Sequence, residues 1–308
     1  MKHDSVRPIV YNFTYLLKLC GDNSDLKRGK EIHGSNAREG FGLLEYDYFW
    51  DMRKMGFAKV ALMLVLRMSE EGHRPDSITI VSILPAVADI GLLRIGMAVH
   101  GYVLRAGFEP LVNVSTALLD MYSKCGSVRF ARVIFDGMDH RTVVSWNSMI
   151  DGYAQSGDAE GAMLIFQKML DEGVQPTNVT VMGALRACAD LGDLERGKFV
   201  HKLVDQLKLD SDVSVMNSLI SMYSKCKRVD IAADIFKNLQ NKTPVSWNAM
   251  ILGYAQNGCV NEALNAFCEM HSRNIKPDSF TMVSVIPALA ELSTPRQAKW
   301  IHGLVIRR

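Results

Sequence analysis

The chain has 308 residues, 48% hydrophobic and 22% charged, with six cysteines and a formal net charge of +2. So small a net charge argues neither for nor against nucleic acid, and no apolar run reaches 18 residues, so nothing is expected to span a membrane. The cysteines are scattered without any Cys-x-x-Cys, which points away from zinc ribbons and disulfide frameworks and towards small buried apolar residues in a reducing compartment.

In chain order, residues 1–9 form a leader; MKHDSVRPIV looks like neither a secretory signal nor a full organelle transit peptide. From there the sequence repeats itself. Four segments end alike, at His33, His100, His201 and His302, and the last three histidines stand 101 residues apart. MYSKC ends at Cys125 and again at Cys226, and Trp146–Asn147 returns as Trp247–Asn248, all at the same spacing. The cycle divides into units of 35, 31 and 35 residues, the mark of an array of small helical repeats. Residues 10–44 form a long unit and 45–76 a degenerate, shortened one. His33 to His100 falls 34 residues short of the cycle, so about one short unit is missing and the junction at 43–56 should be the least regular part. Next come a long unit at 77–111, a short one at 112–142, a Trp-Asn unit at 143–177 and a long unit at 178–212. A short unit at 213–243, a Trp-Asn unit at 244–278 and a truncated long unit at 279–308 complete the series.

Within 143–177, Trp146, Met149, Ile150 and Tyr153 recur at i, i+3, i+4, i+7, one face of a helix. Gly157 breaks that helix and Asp158 is placed to cap the next, whose buried face carries Ala162, Ile165, Phe166 and Met169. Gly173 and Pro176 close the unit. Each unit is thus a helical hairpin that cannot bury its apolar face alone. The predicted fold is all-α: an α-solenoid of stacked helix-turn-helix repeats, wound into a right-handed superhelix with the first helices lining a concave groove.

VVSWNSMIDGYAQSG, MYSKCGS, ACADLGDLERGKFVH and the recurring xPD or xPT ends resemble the plant pentatricopeptide-repeat proteins of the mixed-length (PLS) class. Their arrays cycle long (L), short (S) and standard (P) motifs of these same lengths. The likeness covers nearly the whole chain, excepting about 43–56. The wording of VYNFTYLLKLCGD, FQKMLDEGVQPT and AKWIHG is similar to RNA-editing factors of the chlororespiratory-reduction group. The resemblance implies a monomer that binds single-stranded organellar RNA upstream of cytidines converted to uridine. It favours the chloroplast over the mitochondrion.

A separate argument for RNA comes from the residues. A helical array presents one set of side chains per unit, which suits reading one splayed base per repeat at its edge. Such a reader must be short, polar and carried on the inner helix. Position 5 of the units fits: Thr116, Asn147, Asn217 and Asn248 in the S and P units, against apolar Val81, Met182 and Val283 in the L units. An Asn amide offers a base edge both a donor and an acceptor; a hydroxyl offers fewer bonds. In the resembled family, position 5 and the last residue of the motif choose the base together. Carried over by position, the pairs are Thr116 with Thr142, Asn147 with Thr177, Asn217 with Thr243, and Asn248 with Asp278. The implied footprint, 5′ to 3′, is purine, pyrimidine, any, pyrimidine, uridine, with Met182 and Asp212 the indifferent pair. Tyr46 and Asp76 depart from the code and are assigned no base.

Plainer readings stand beside these. Asn147 and Asn248 could satisfy local backbone instead. The spaced histidines lie one per cycle, so no two can share an ion, and they read as structural residues on the second helices of L units. Tyr122, Cys125, Tyr223 and Cys226 read as packing residues. Trp146, Trp247 and Trp300 either stack on bases or, the better fit for Trp146, are buried between repeats. Lys225–Lys227–Arg228 and Lys27–Arg28–Lys30 either meet phosphate or are solvated charge. No cofactor or metal is expected. No histidine is followed by x-Glu, so the zinc-deaminase signature is missing and the chain is expected not to be an enzyme. A deaminase would come from a missing C-terminus or from other editing factors. The competing classes are a protein-binding helical scaffold and a non-functional remnant of an array.

Overall fold

A computed structural model describes residues 56–291, and the regular structure in them is entirely α-helical. The leader, the unit at 10–44, nearly all of the junction at 43–56, Lys27–Arg28–Lys30, His33, Tyr46, Trp300 and His302 lie outside the described residues. The chain divides into two compact units, the first ending at Ser156 and the second beginning at Gly157. The first holds α1 (Gly56–Glu70), α2 (Ser77–Ile90), α3 (Leu93–Ala106), α4 (Val112–Lys124), α5 (Val128–Gly137) and α6 (Val143–Gln155). The second holds α7 (Ala159–Asp171), α8 (Asn178–Leu191), α9 (Leu194–Gln206), α10 (Val213–Lys225), α11 (Val229–Asn238), α12 (Pro244–Gln256), α13 (Val260–Ser272) and α14 (Ser279–Glu291).

The packing rule is the same in each unit. A first helix packs on its own second helix and on the first helix of the following hairpin. In the first unit α4 packs on α2, α5 and α6; in the second α12 packs on α10, α13 and α14. This is the α-solenoid arrangement, in which a hairpin buries its apolar face only against its neighbours.

Local chemistry sets the helix ends. Asp158 accepts from the Gly161 N–H at 2.8 Å and Asp193 from the Arg196 N–H at 3.0 Å, each such cap contributing about 1 kcal/mol. Gly157 follows α6 with φ +82° and Gly173 follows α7 with φ +70°, conformations that favour glycine.

The 101-residue ruler has a physical cause in the core. The His100 ring Nδ1 lies 3.0 Å from the Tyr122 hydroxyl, and His201 Nδ1 lies 2.8 Å from Tyr223. Each bond ties the second helix of one hairpin to the first helix of the next. Burial pushes the His100 pKa down, favouring the neutral ring. Trp146 and Trp247 are fully buried, meeting Phe135 and Phe236 edge-to-face with centroids 4.8 Å apart. Base stacking is therefore closed to both tryptophans. Their indole N–H groups have no hydrogen-bond partner, so their contribution is packing.

One expectation changes. Only Cys188 of the described cysteines is buried, with its thiol pushed up to about 12; Cys125, Cys226 and Cys259 are half-buried and Cys268 is exposed. The reading of all cysteines as buried apolar residues is corrected accordingly. The Lys225–Lys227–Arg228 cluster is already engaged within the protein. Lys225 pairs with Asp190 at 2.7 Å, Arg228 with Asp230 at 2.7 Å, and Lys227 donates to the Gln256 carbonyl at 3.4 Å.

Candidate nucleic-acid interface

The expected base-reading residues occupy two recurring places on the first helices. Thr142, Thr177, Asp212 and Thr243 are the N-cap residues of α6, α8, α10 and α12. Asp278 caps α14 in the same way, its Oδ1 accepting from the Thr281 N–H at 2.7 Å. Each side chain thus has a structural task in starting the following helix. Thr142 accepts from the Ser145 N–H and Thr243 from the Ser246 N–H, both at 3.3 Å. In the second unit the Asp212 carboxylate also accepts from the Asn178 side chain at 2.9 Å. That bond, ahead of the cap bonds, holds its pKa below the usual carboxylate range.

The position-5 residues lie one turn into the same helices. Thr116, Asn147 and Asn217 are half-buried, and Asn248 is only 5% exposed. Their hydrogen bonding differs. Thr116 Oγ1 and Asn217 Oδ1 are buried without a partner. The structure therefore does not bond Thr116 to Thr142, nor the Asn217 carbonyl to Thr243. Asn147 lies in the first unit and Thr177 in the second. Asn248 and Asp278 are brought together: the Asn248 Nδ2 donates to both carboxylate oxygens at 3.2 Å, and its Oδ1 accepts from the Thr281 hydroxyl at 2.6 Å. The backbone N–H and then the hydroxyl of Thr281 hold the Asp278 pKa low, with Asn248 adding to them. The carboxylate is ionised at neutral pH.

One row of residues was missed from the sequence. Three positions before the position-5 residue of the P and L units, on the same helix face, stand Ile78, Val144, Val179, Val245 and Phe280, between 50% and 62% exposed. Asn113 and Ser214 fill that place in the S units and are also exposed. An apolar side chain held in solvent at the same place in five repeats departs from the rule that large apolar groups are buried. Its signal was present in the sequence as an apolar residue off the buried stripe. In the two P units the exposed residue, Val144 or Val245, stands one turn before an Asn amide, Asn147 or Asn248.

Among the described residues no cluster of three potential metal ligands exists, and no helix is long and apolar enough to cross a membrane.

Models of the PPR repeat match at 114–143, 141–190, 214–242 and 242–291, together about half the chain. The chain belongs to the PPR repeat family. A chloroplastic pentatricopeptide repeat-containing protein of Arabidopsis thaliana is 56% identical over 341 aligned positions, covering 100% of this chain and 42% of the relative. A second chloroplastic PPR protein of that plant is 33% identical, covering 98% of the chain and 39% of its own length. The chain thus spans about two-fifths of these PPR relatives. Among solved structures, PPR10 in complex with an 18-nt psaJ RNA element superposes with a TM-score of 0.74 at 19% identity, over 98% of this chain and 46% of PPR10. The crystal structure of PPR10 from maize gives 0.72 over 97% and 44%. At that identity the likeness establishes the PPR α-solenoid fold.

Proposed function

We propose that this PPR array binds single-stranded RNA sequence-specifically, one nucleotide per repeat, as the recognition part of an organellar C-to-U RNA-editing or RNA-processing factor. The observation that carries the reading is the paired row on the first helices: an exposed apolar side chain at position 2 and a short polar one at position 5. Val144 stands with Asn147 and Val245 with Asn248. A base that rests against the first can present its edge to the second. The RNA bound to PPR10 supports the choice of ligand.

The proposed register is L at 77–111, S at 112–142, P at 143–177, L at 178–212, S at 213–243 and P at 244–278, the mixed-length PLS pattern. The 341 positions needed to align 308 residues with the Arabidopsis relative support the loss of about one unit. Thr116 takes a purine, Asn147 and Asn217 pyrimidines, and Asn248 with Asp278 uridine; Met182 is indifferent. The chloroplastic relatives support action in the chloroplast, and the deaminase activity is assigned to other editing factors or to another part of the protein.

The test is a gel-shift titration with an RNA of about 16 nucleotides containing purine-Y-N-Y-U, at about 0.15 M salt. The control RNA has its coded pyrimidines changed to purines. Tighter binding of the coded RNA, lost in Asn147→Ala and Asn248→Ala, is the expected outcome. Equal weak binding of both, falling steeply with salt, would reduce the interaction to phosphate attraction. No binding by the folded chain would favour a protein-binding scaffold.

A further inference from the structure

Asn248 has both ends of its amide held, and the second hold comes from outside the pair that the family code uses. An ionised carboxylate only accepts hydrogen bonds, so the amide NH₂ must face Asp278. The carbonyl then faces Thr281, the third residue of the following repeat, which is fully buried. The single Thr281 hydroxyl proton is shared between Asn248 Oδ1 at 2.6 Å and Asp278 Oδ1 at 2.8 Å. An oxygen–oxygen contact of 2.6 Å is attractive only with a proton between the atoms, so this hydroxyl opposes any turning of the amide.

Orientation matters because turning an amide over exchanges its donor and its acceptor. Uracil offers an N–H beside a carbonyl where cytosine offers a ring nitrogen beside an NH₂. A reader free to turn accepts either pyrimidine; a reader held in one orientation favours one. We propose that Thr281 is a specificity-determining positioning residue, which fixes the Asn248 amide in one orientation and so lets repeat 244–278 tell uridine from cytidine. The proposal rests on base reading by Asn248.

The preceding reader provides the internal contrast. The equivalent hydroxyl, Ser246 Oγ, lies 3.2 Å from the Thr243 backbone nitrogen and 3.0 Å from its hydroxyl, and Asn217 Oδ1 has no partner. The Asn217 amide is free at its carbonyl end, so that repeat reads a pyrimidine without choosing between the two. That repeat also ends in Thr243 where repeat 244–278 ends in Asp278, so the contrast is between an amide with both holds and one with neither, and the Thr281 substitutions separate the two.

The experiment is fluorescence anisotropy of the full chain with RNAs that differ only as U, C or A at the Asn248 nucleotide. Matching changes are made at the Asn217 nucleotide. Wild type, Asn248→Ala, Thr281→Val, Thr281→Ala and Thr281→Ser are compared, each with a thermal melt. Wild type should favour U over C at the Asn248 nucleotide. That ratio should fall about threefold or more in the Val and Ala variants, the size expected for one lost hydrogen bond. Thr281→Ser, which keeps the hydroxyl, should restore it. The preference at the Asn217 nucleotide should stay unchanged, and the thermal melts read any loosening of the helix start, which would lower Tm in step with the loss of preference. Equal U-to-C ratios in Thr281→Ser and Thr281→Ala would overturn the role of Thr281 while a loss in Asn248→Ala left base reading standing. A wild type with no preference at either nucleotide would remove base reading and this proposal together.

Discussion

Two glycines in the first helices stand where the array admits no side chain. A Cβ built on Gly152 would lie 2.5 Å from Ser123 Oγ and 2.7 Å from Ser123 Cβ. Gly253 meets Ser224 in the same way 101 residues on. Gly152→Ala gains about 1 kcal/mol of helix propensity but forces neighbouring helices apart, an overpacking cost of about 1–3 kcal/mol. The expected result is a net loss of stability on denaturant unfolding. Ser123→Gly should recover part of it, so a double-mutant cycle should show positive coupling. The proposed readers Asn147, Asn217 and Asn248 stand out in the sequence because a short polar residue recurs at a fixed place in the S and P repeats. The Thr281 contact does not, because the sequence shows a common capping threonine and only the geometry shows its hydroxyl reaching the amide of the preceding repeat. The exposed row from Ile78 to Phe280 was hidden for another reason: apolar residues in a repeat array are read as core by default.

Helix ends show how far repetition carries the reading of an element. Gly107, Gly126 and Gly173 end helices with φ between +70° and +73°. Their counterparts 101 residues on are Lys208, Lys227 and Asn274, which hold φ of 56°, 62° and 59° without being glycine. Single-residue stop signals fail at these three places; the copy in the earlier cycle supplies the missing punctuation. Lys208 and Lys227 each carry a left-handed penalty of roughly 1–2 kcal/mol, which glycine would remove at an entropic cost of about 0.5–1 kcal/mol. Lys208→Gly and Lys227→Gly should each raise stability by about 0.5–1 kcal/mol, seen as a higher Tm. A lower Tm in both would show that the lysine side chains contribute more than the backbone strain costs.

On the scale of the molecule, the hairpin stack was legible because apolar spacing, caps and most breakers agree with one repeat. Among the described residues, the Lys225–Lys227–Arg228 cluster makes surface contacts with Asp190, Gln256 and Asp230. The proposed reading places the sequence-dependent part of RNA binding in base contacts along the first helices, whereas phosphate contacts would show as a steep dependence on salt. The most direct measurement is selection of bound RNA from a pool of random sequence, followed by sequencing, with wild type and Asn147→Ala compared. The account predicts an enriched purine, pyrimidine, any, pyrimidine, uridine register, whose second column alone becomes indifferent in Asn147→Ala. A pool that emerges unenriched, or enriched in a pattern that Asn147→Ala leaves unchanged, would contradict it.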